Sequence, residues 1–348
     1  MVVLLVSCGG TSTNEDNVKP DDTPDNNENA ESYPEIYIVG SNDDNHPVIW
    51  NGTTTELLPT ANGQSGNAKS IALGSGHTYI AGYTGNFPYT PCVWVDGIRN
   101  DLTLTDGTTA RGEAYTVTVS GTDIYVSGCA WDDSESVKAY TPGYWKYSGS
   151  SWIWNQLAKR DGRIIAAAID GNGNAVFAEE HYYSNALTLY YWKISGGAYT
   201  ENICAISSDS EKSGVTGIGI LGSSIIVAGY QGVDSRHPCY WTDGVRTDLS
   251  GTSPEWIAGM AVSGGKVYIA GQCNTKDLYP IPVPGYWVDG VWTELPRDGS
   301  MNMNTAYSIA ISGSDIYVTG QCNTSFCFWK NGKRVPLEGI APESIVIK

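Results

Sequence analysis

Side chains able to do chemistry recur in this chain at a fixed place. A short β-branched run ends in glycine every 42 to 51 residues, once in Glu179 instead, and the residue after the glycine is Ser41, Tyr83, Cys129, Tyr230, Gln272 or Gln321. The segments that follow add Trp131 and further rings, amides and carboxylates, and Tyr115 and Tyr307 stand at the entrances of other apolar runs. Aromatic rings beside amides and carboxylates suit a polyhydroxylated ligand, because a pyranose offers an apolar face to stack and hydroxyls to hydrogen-bond. Tyr83, Trp131, Glu179, Tyr230, Gln272, Gln321, Tyr115 and Tyr307 are therefore the candidate ligand-binding residues. Tyr83, Glu179, Tyr230, Gln272 and Gln321 directly follow or replace the glycine and are expected to point toward a common funnel.

Other chemistry is thinly represented. Paired carboxylates run glycoside hydrolysis at set separations, and Glu179 with Asp132 or Asp133 is the one inviting pair, although no spacing enforces it. His46 and His237 each precede a proline four residues ahead of a tryptophan, so they decorate a repeat rather than form a ligand set with His77 and His181. Asp170 to Asn174 echoes a calcium loop but lacks its later Glu and falls where a hairpin turn is required. No metal and no cofactor is expected. Among the cysteines, Cys92, Cys239 and Cys327 stand two residues before a tryptophan, and Cys129, Cys273 and Cys322 follow the apolar runs. Either Cys322 with Cys327, Cys92 with Cys129 and Cys239 with Cys273 form disulfides, which an exported compartment permits, or all are buried free thiols.

The elements that position these residues are clearest in Thr305 to Leu337, TAYSIAISGSDIYVTGQCNTSFCFWKNGKRVPL. It holds four short alternating or β-branched segments bounded by Gly, Asn, Ser or Asp, which predicts four strands, A to D, joined by tight turns. Asn331-Gly332 suits a type I′ hairpin between C and D. The strand-B ending recurs as IYIVG, TYIAG, IYVSG, AVFAE, IIVAG, VYIAG and IYVTG, each followed by a strand-C tryptophan: Trp50, Trp94, Trp145, Trp192, Trp241, Trp287 and Trp329. A strand-D apolar residue follows at Leu58, Leu102, Leu157, Ile203, Leu249, Leu295 and Leu337. Ile71, Val117, Ala168, Ile218, Met260 and Ile309 each lie eleven residues before a strand-B end and mark strand A. The residue ahead of each is small, as strands converging on one axis require.

This period is that of propeller blades. The chain is predicted all-β, a seven-bladed β-propeller of four-stranded antiparallel blades over residues 35–348. The first repeat has no strand A before it, and Glu343 to Lys348, ESIVIK, reads like SIAI and belongs to no other repeat. It is expected to enter the first blade as its strand A and close the ring, removing an open edge. The A–B and C–D turns would share one face. The variable B–C and D–A connections would share the other, which is the face expected to carry function.

The repeat resembles the kelch class of β-propeller: a strand ending IYVxG, a Tyr-Trp or related pair in the third strand, an apolar residue in the fourth. Kelch blades end the second strand in Gly-Gly, whereas single glycines stand here, so the resemblance implies the fold and no functional residue. The WD dipeptide that closes WD40 blades does not recur, Trp131-Asp132 being a single pair that falls after a strand-B end, and the Ser-x-Asp-x-Gly-x-Thr-Trp box of sialidase-type propellers is missing. At the other end, Leu5-Val6-Ser7-Cys8 resembles the lipobox of bacterial lipoproteins, which implies cleavage and lipidation of Cys8. Residues 1–8 hold neither the basic segment nor the longer apolar stretch of a full signal. Residues 9–34, rich in Asn, Asp, Thr, Glu and Pro with no apolar period, read as a disordered acidic tether.

The formal net charge of −17 argues against nucleic acid and against charge-driven binding to anionic lipid. No segment approaches the roughly 20 apolar residues of a membrane helix, so attachment would run through the lipid. The expectation is a monomeric, lipid-anchored binding module of the cell envelope, periplasmic or cell-surface, with a glycan or protein ligand on its loop face. A hydrolase or lyase acting on polysaccharide and a structural subunit of an envelope complex remain alternatives.

Overall fold

Alternating apolar runs separated by Gly, Asp and Asn pair locally, and in the computed structural model of the chain they build seven antiparallel sheets of four strands each. The structure describes residues 33, 35–105, 107–132, 139–158, 161–181, 188–196, 198–206, 212–232, 237–251, 253–297 and 303–348. Cys8, where lipidation is expected, and all but Tyr33 of the expected tether lie outside these. Tyr33–Lys348 forms one compact unit, and Tyr33 itself is buried at its edge, its ring 5.2 Å from Phe328 and 6.5 Å from Trp50.

Blade 1 contains β1 (Ile36–Ser41), β2 (Pro47–Trp50) and β3 (Thr55–Leu57), and blade 2 contains β4 (Gly66–Gly74), β5 (His77–Thr84), β6 (Thr90–Val95) and β7 (Ile98–Asp101). Blade 3 comprises β8 (Gly112–Ser120), β9 (Asp123–Asp132), β10 (Ala139–Tyr147) and β11 (Trp152–Gln156); blade 4 comprises β12 (Gly162–Ile169), β13 (Ala175–His181), β14 (Thr188–Ser195) and β15 (Ala198–Ile206). Blade 5 runs through β16 (Lys212–Leu221), β17 (Ser224–Gly232), β18 (Pro238–Thr242) and β19 (Val245–Asp248). Blade 6 runs through β20 (Pro254–Ser263), β21 (Lys266–Asn274), β22 (Pro282–Val288) and β23 (Val291–Glu294). Blade 7 holds β24 (Asn304–Ser312), β25 (Asp315–Cys322), β26 (Ser325–Lys330) and β27 (Lys333–Pro336), and β28 (Ala341–Ile347) ends the chain.

The last strand closes the ring as expected. β28 pairs antiparallel with β1, Ile345 opposite Ile38 and Ser344 opposite Val39, so blade 1 is assembled from both ends of the unit. Seven buried apolar clusters lie one at each seam between neighbouring blades, and each contains the strand-C tryptophan of the blade that comes next round the ring.

One local expectation needs correction. Ile203 is 54% exposed, because a register shift in β15 adds a residue there, and Cys204 takes the core position instead. Of the two alternatives for the cysteines the structure has the second: Cys92, Cys129, Cys204, Cys239, Cys273, Cys322 and Cys327 are buried free thiols. Burial pushes the thiols of Cys92, Cys239 and Cys273 up to about 12.

Candidate functional site

A single irregularity, repeated in every blade, builds the site. In strand A one residue is unpaired at a β-bulge: Lys69 between Ala68 and Ser70, Tyr115 between Ala114 and Thr116, Ile165, Thr216 and Tyr307 likewise. Glu343 is the equivalent in β28, and Ala258 with Gly259 in blade 6. A bulge turns one side chain out of the pleat. Here the bulged residues converge on the axis, where they line a cavity of about 350 Å³ together with Ala167, Gly217, Met260, Ser308 and Ser344.

The bulge also accounts for the strand-B glycine. Directly across from it, a Cβ on Gly82, Gly128, Gly229, Gly271 or Gly320 would run into the strand-A carbonyl oxygen of Asn67, Glu113, Gly214, Trp256 or Thr305. The residue after that glycine pairs with the residue two before the bulge: Asn67 with Tyr83, Glu113 with Cys129, Arg163 with Glu180, Gly214 with Tyr230, Trp256 with Gln272, Thr305 with Gln321. These pairs form a second tier adjoining the bulged residues.

Polar ties within and between blades hold both tiers. Glu343 Oε1 accepts from Lys69 Nζ at 2.6 Å and from Asn67 Nδ2 at 2.8 Å. Arg163 donates to Glu180 at 2.8–2.9 Å and to the Tyr115 hydroxyl at 3.0 Å, its guanidinium over the Tyr115 ring. The Tyr307 hydroxyl donates to Gln321 Oε1 at 2.8 Å, and the Thr305 hydroxyl donates to Gln272 Oε1 at 2.5 Å. Burial, reinforced by nearby carboxylates, raises the Tyr83 hydroxyl above its ordinary value, with Glu113 and Glu343 both acting on it. Burial leads again at Tyr115, backed by Cys129 and Glu113 and opposed by Arg163, and at Tyr307, backed by Glu343. These phenols stay protonated through the neutral range and act as donors.

Beside this mouth lies an aromatic shelf shared by blades 2 and 3. Tyr83 and Tyr89 stack at 4.3 Å, Phe87 meets Tyr89 edge-on at 5.8 Å and Trp131 at 5.1 Å, and Trp131 meets Tyr140 at 4.9 Å. Phe87 is 56% exposed, and the other four rings are half-buried.

Of the candidates named from sequence, Tyr115 and Tyr307 line the cavity, Tyr83, Gln272 and Gln321 stand in its second tier, and Trp131 stands on the shelf. Tyr230 covers Gly214, where a Cβ would lie 2.5 Å from its ring. Glu179 does not point to the funnel: it is 0% exposed and accepts from the Trp192 indole at 2.6 Å. Successive strand residues face opposite sides, and Glu179 takes the place of the glycine, so the neighbour Glu180 holds the mouth position. Gly162 makes the space, since a Cβ there would lie 2.8 Å from Glu179 Oε1. Asp133 lies outside the described residues, and a buried Glu179 has no open side from which to serve a carboxylate pair.

Sequence reasoning missed Asn67, Glu113, Arg163 and Tyr140. Counting two residues back from Lys69, Tyr115 and Ile165 would have found the first three. Among the described residues no three His, Cys, Asp or Glu side chains cluster as a metal ion needs.

The class that fold and site define is the seven-bladed β-propeller. No protein-family model matches the chain, and none of the curated proteins does. Among solved structures it is similar to the Trypanosoma rangeli sialidase in complex with sialic acid, at a TM-score of 0.49 and 8% identity over 88% of this chain. It is likewise similar to that sialidase with 2,3-difluorosialic acid as a covalent intermediate, at a TM-score of 0.48 and 9% identity. The chain spans 57% of the length of these sialidases.

Proposed function

We propose that this propeller is an extracytoplasmic binding module, kelch-like in its repeat, that holds a glycan or protein ligand on the face carrying the B–C and D–A connections. One observation carries the reading: seven bulges aim their residues at one mouth, and an aromatic shelf adjoins it. Fixed donors and acceptors around a cavity, with exposed rings at its edge, are what oriented binding requires. The lipobox-like Leu5-Val6-Ser7-Cys8 supports a lipid anchor in the cell envelope, which incorporation of labelled fatty acid into the wild-type chain but not Cys8→Ala would test.

The face assignment is tested by paired substitutions. Lys69→Ala and Tyr307→Phe alter the mouth, whereas Val245→Glu alters a C–D turn on the opposite face. Ligands selected on glycan and envelope-protein arrays should lose affinity with the first two and keep it with the third. The reverse pattern would place the ligand on the turn face.

A further inference from the structure

We infer that the ligand of this mouth is an uncharged glycan, whose terminal sugar enters the axial cavity while the following sugars stack on Tyr83, Tyr89, Phe87 and Trp131; this rests on the loop-face reading above. Three observations converge on it.

Charge comes first. Among the described residues Lys69 lines the cavity and Arg163 stands in the second tier beside it, and both are spent internally, Lys69 on Glu343 and Arg163 on Glu180 and the Tyr115 ring. Glu113 stands beside the Tyr115 and Tyr83 hydroxyls and adds negative potential. Arg111, exposed at the entrance of β8, is engaged as well. Among the described residues an acidic sugar would meet three carboxylates, with Lys69 and Arg163 already paired to two of them, while hydroxyls meet phenols, amides and carboxylates ready to bond.

The second observation is the asymmetry of the cavity wall. Blades 7, 1, 2 and 3 contribute Tyr307, Glu343, Lys69 and Tyr115, whereas blades 4 to 6 contribute Ile165, Thr216, Ala258 and the bare backbone of Gly217 and Gly259. One side is polar and the other small or apolar, which matches a pyranose with a hydroxylated rim and an apolar face. At about 350 Å³ the cavity sits at the small end of the range for ligand clefts, roughly 300–1,000 Å³. It holds a chain end, not a chain.

The third is continuity. Tyr83 lies within the field of Glu343 in the mouth and stacks on Tyr89, the first ring of the shelf. The rings then run outward through Phe87 to Trp131 at spacings of 4.3–5.8 Å and are braced by one another before any ligand arrives. Pre-formed rings avoid the ordering that binding otherwise costs.

The test uses the full chain carrying Cys8→Ala. Isothermal titration with the neutral hexasaccharides maltohexaose, cellohexaose and mannohexaose is compared with oligogalacturonate and 3′-sialyllactose. At least one neutral series should bind, the acidic sugars should bind at least tenfold more weakly, and Phe87→Ala should weaken the neutral ligand about tenfold, the worth of one ring contact. Phe87 is more than half exposed, so its removal spares the core; a melting temperature within a degree or two of the parent's confirms this. Tyr307→Phe, inside the cavity, should weaken the bound neutral hexasaccharide and its monosaccharide alike, whereas Phe87→Ala should spare the monosaccharide. Preference for acidic sugars, or neutral binding indifferent to both variants, overturns the inference. A protein ligand that needs Lys69 and Tyr307 while every sugar fails overturns it too, yet leaves the loop-face reading standing.

Discussion

The strand-C tryptophans do more than fill the seams. Trp94, Trp145, Trp287 and Trp329 each donate the indole N–H to a carbonyl that follows strand D of the preceding blade: Pro59, Thr103, Ser250 and Pro296, at 2.5–2.8 Å. Each ring is thus packing and latch at once. The spacing revealed the rings but not the latch, because a donor's partner in the previous repeat leaves no local pattern. Trp329→Ala should cost roughly 3–5 kcal/mol. Trp329→Phe keeps an aromatic ring but orphans the Pro296 carbonyl, and should still cost about 1–3 kcal/mol; urea unfolding of both separates packing from the hydrogen bond. Blade 4 departs from the rule through Glu179, whose carboxylate accepts the Trp192 indole N–H in place of a carbonyl of the preceding blade. The turn residue Asp170 is similarly over-determined. Burial pulls its carboxyl upward, but bonds from the Asn174 side chain and from the backbone of Asn174 and Asn172 outweigh this and hold it at about 2. A carboxyl depressed on folding stabilises above its unfolded value near 3.8 and loses that contribution as pH falls toward 2. Asp170→Ala should therefore lower stability at pH 6 and bring the mutant and parent curves together by about pH 2.

At the scale of the element, the turns and strand ends were legible in kind but not in cause. Asn331-Gly332 announced a hairpin, and Asp96-Gly97, Asp243-Gly244 and Asp289-Gly290 take the same role, each Asp or Asn at φ 48–49°. What periodicity did not reveal is a clasp. The side chains of Asp96, Asp243, Asp289 and Asn331 accept from the backbone of Thr78, Ile225, Val267 and Ile316, at the start of strand B, at 2.9 Å. The strand-B glycine was visible as a repeat mark, whereas its reason, close approach of the bulged strand A, exists only once the sheets are paired. Bulges cannot be seen in a pattern of period two until the partner strand fixes the count. Gly320→Ala tests this: its methyl would meet the Thr305 carbonyl on one side and the Trp329 ring at 2.9 Å on the other. Overpacking of that kind should cost about 1–3 kcal/mol and disturb Gln321 and Tyr307 beside it. Half-buried Gly97 has nothing within 4 Å of an added Cβ, so Gly97→Asn, which tolerates positive φ, should be close to neutral in a thermal melt that shows the cost of Gly320→Ala.

Across the whole molecule, the seven seam clusters make stability a sum of like neighbours, and ring closure decides whether that sum is cooperative. ESIVIK disclosed the closure before any coordinates, because it is a strand A without a repeat. Tyr33 went unread as part of the propeller, being one ring in a polar stretch, and yet it packs on Trp50 and Phe328 at the closing seam. The closure is tied further by Lys348 N–H to the Glu35 carbonyl at 2.7 Å and by the Thr55 hydroxyl to the Glu338 carbonyl at 2.8 Å. In the intact chain every seam has two flanking blades, so loss of one exposes two apolar faces and favours a single transition. Truncation after Ile340 removes β28, leaves β1 as an open edge inviting strand addition, and takes Glu343 and Ser344 out of the axial wall. Calorimetry should then show the ratio of van't Hoff to calorimetric enthalpy fall from near one to well below it, with concentration-dependent association. A synthetic peptide of residues 341–348 should restore the parent transition, and the same peptide carrying Ile345→Asp should not, because Ile345 is buried in the seam between blades 7 and 1. An unchanged enthalpy ratio in the truncated chain would mean that the ring is cooperative without its clasp.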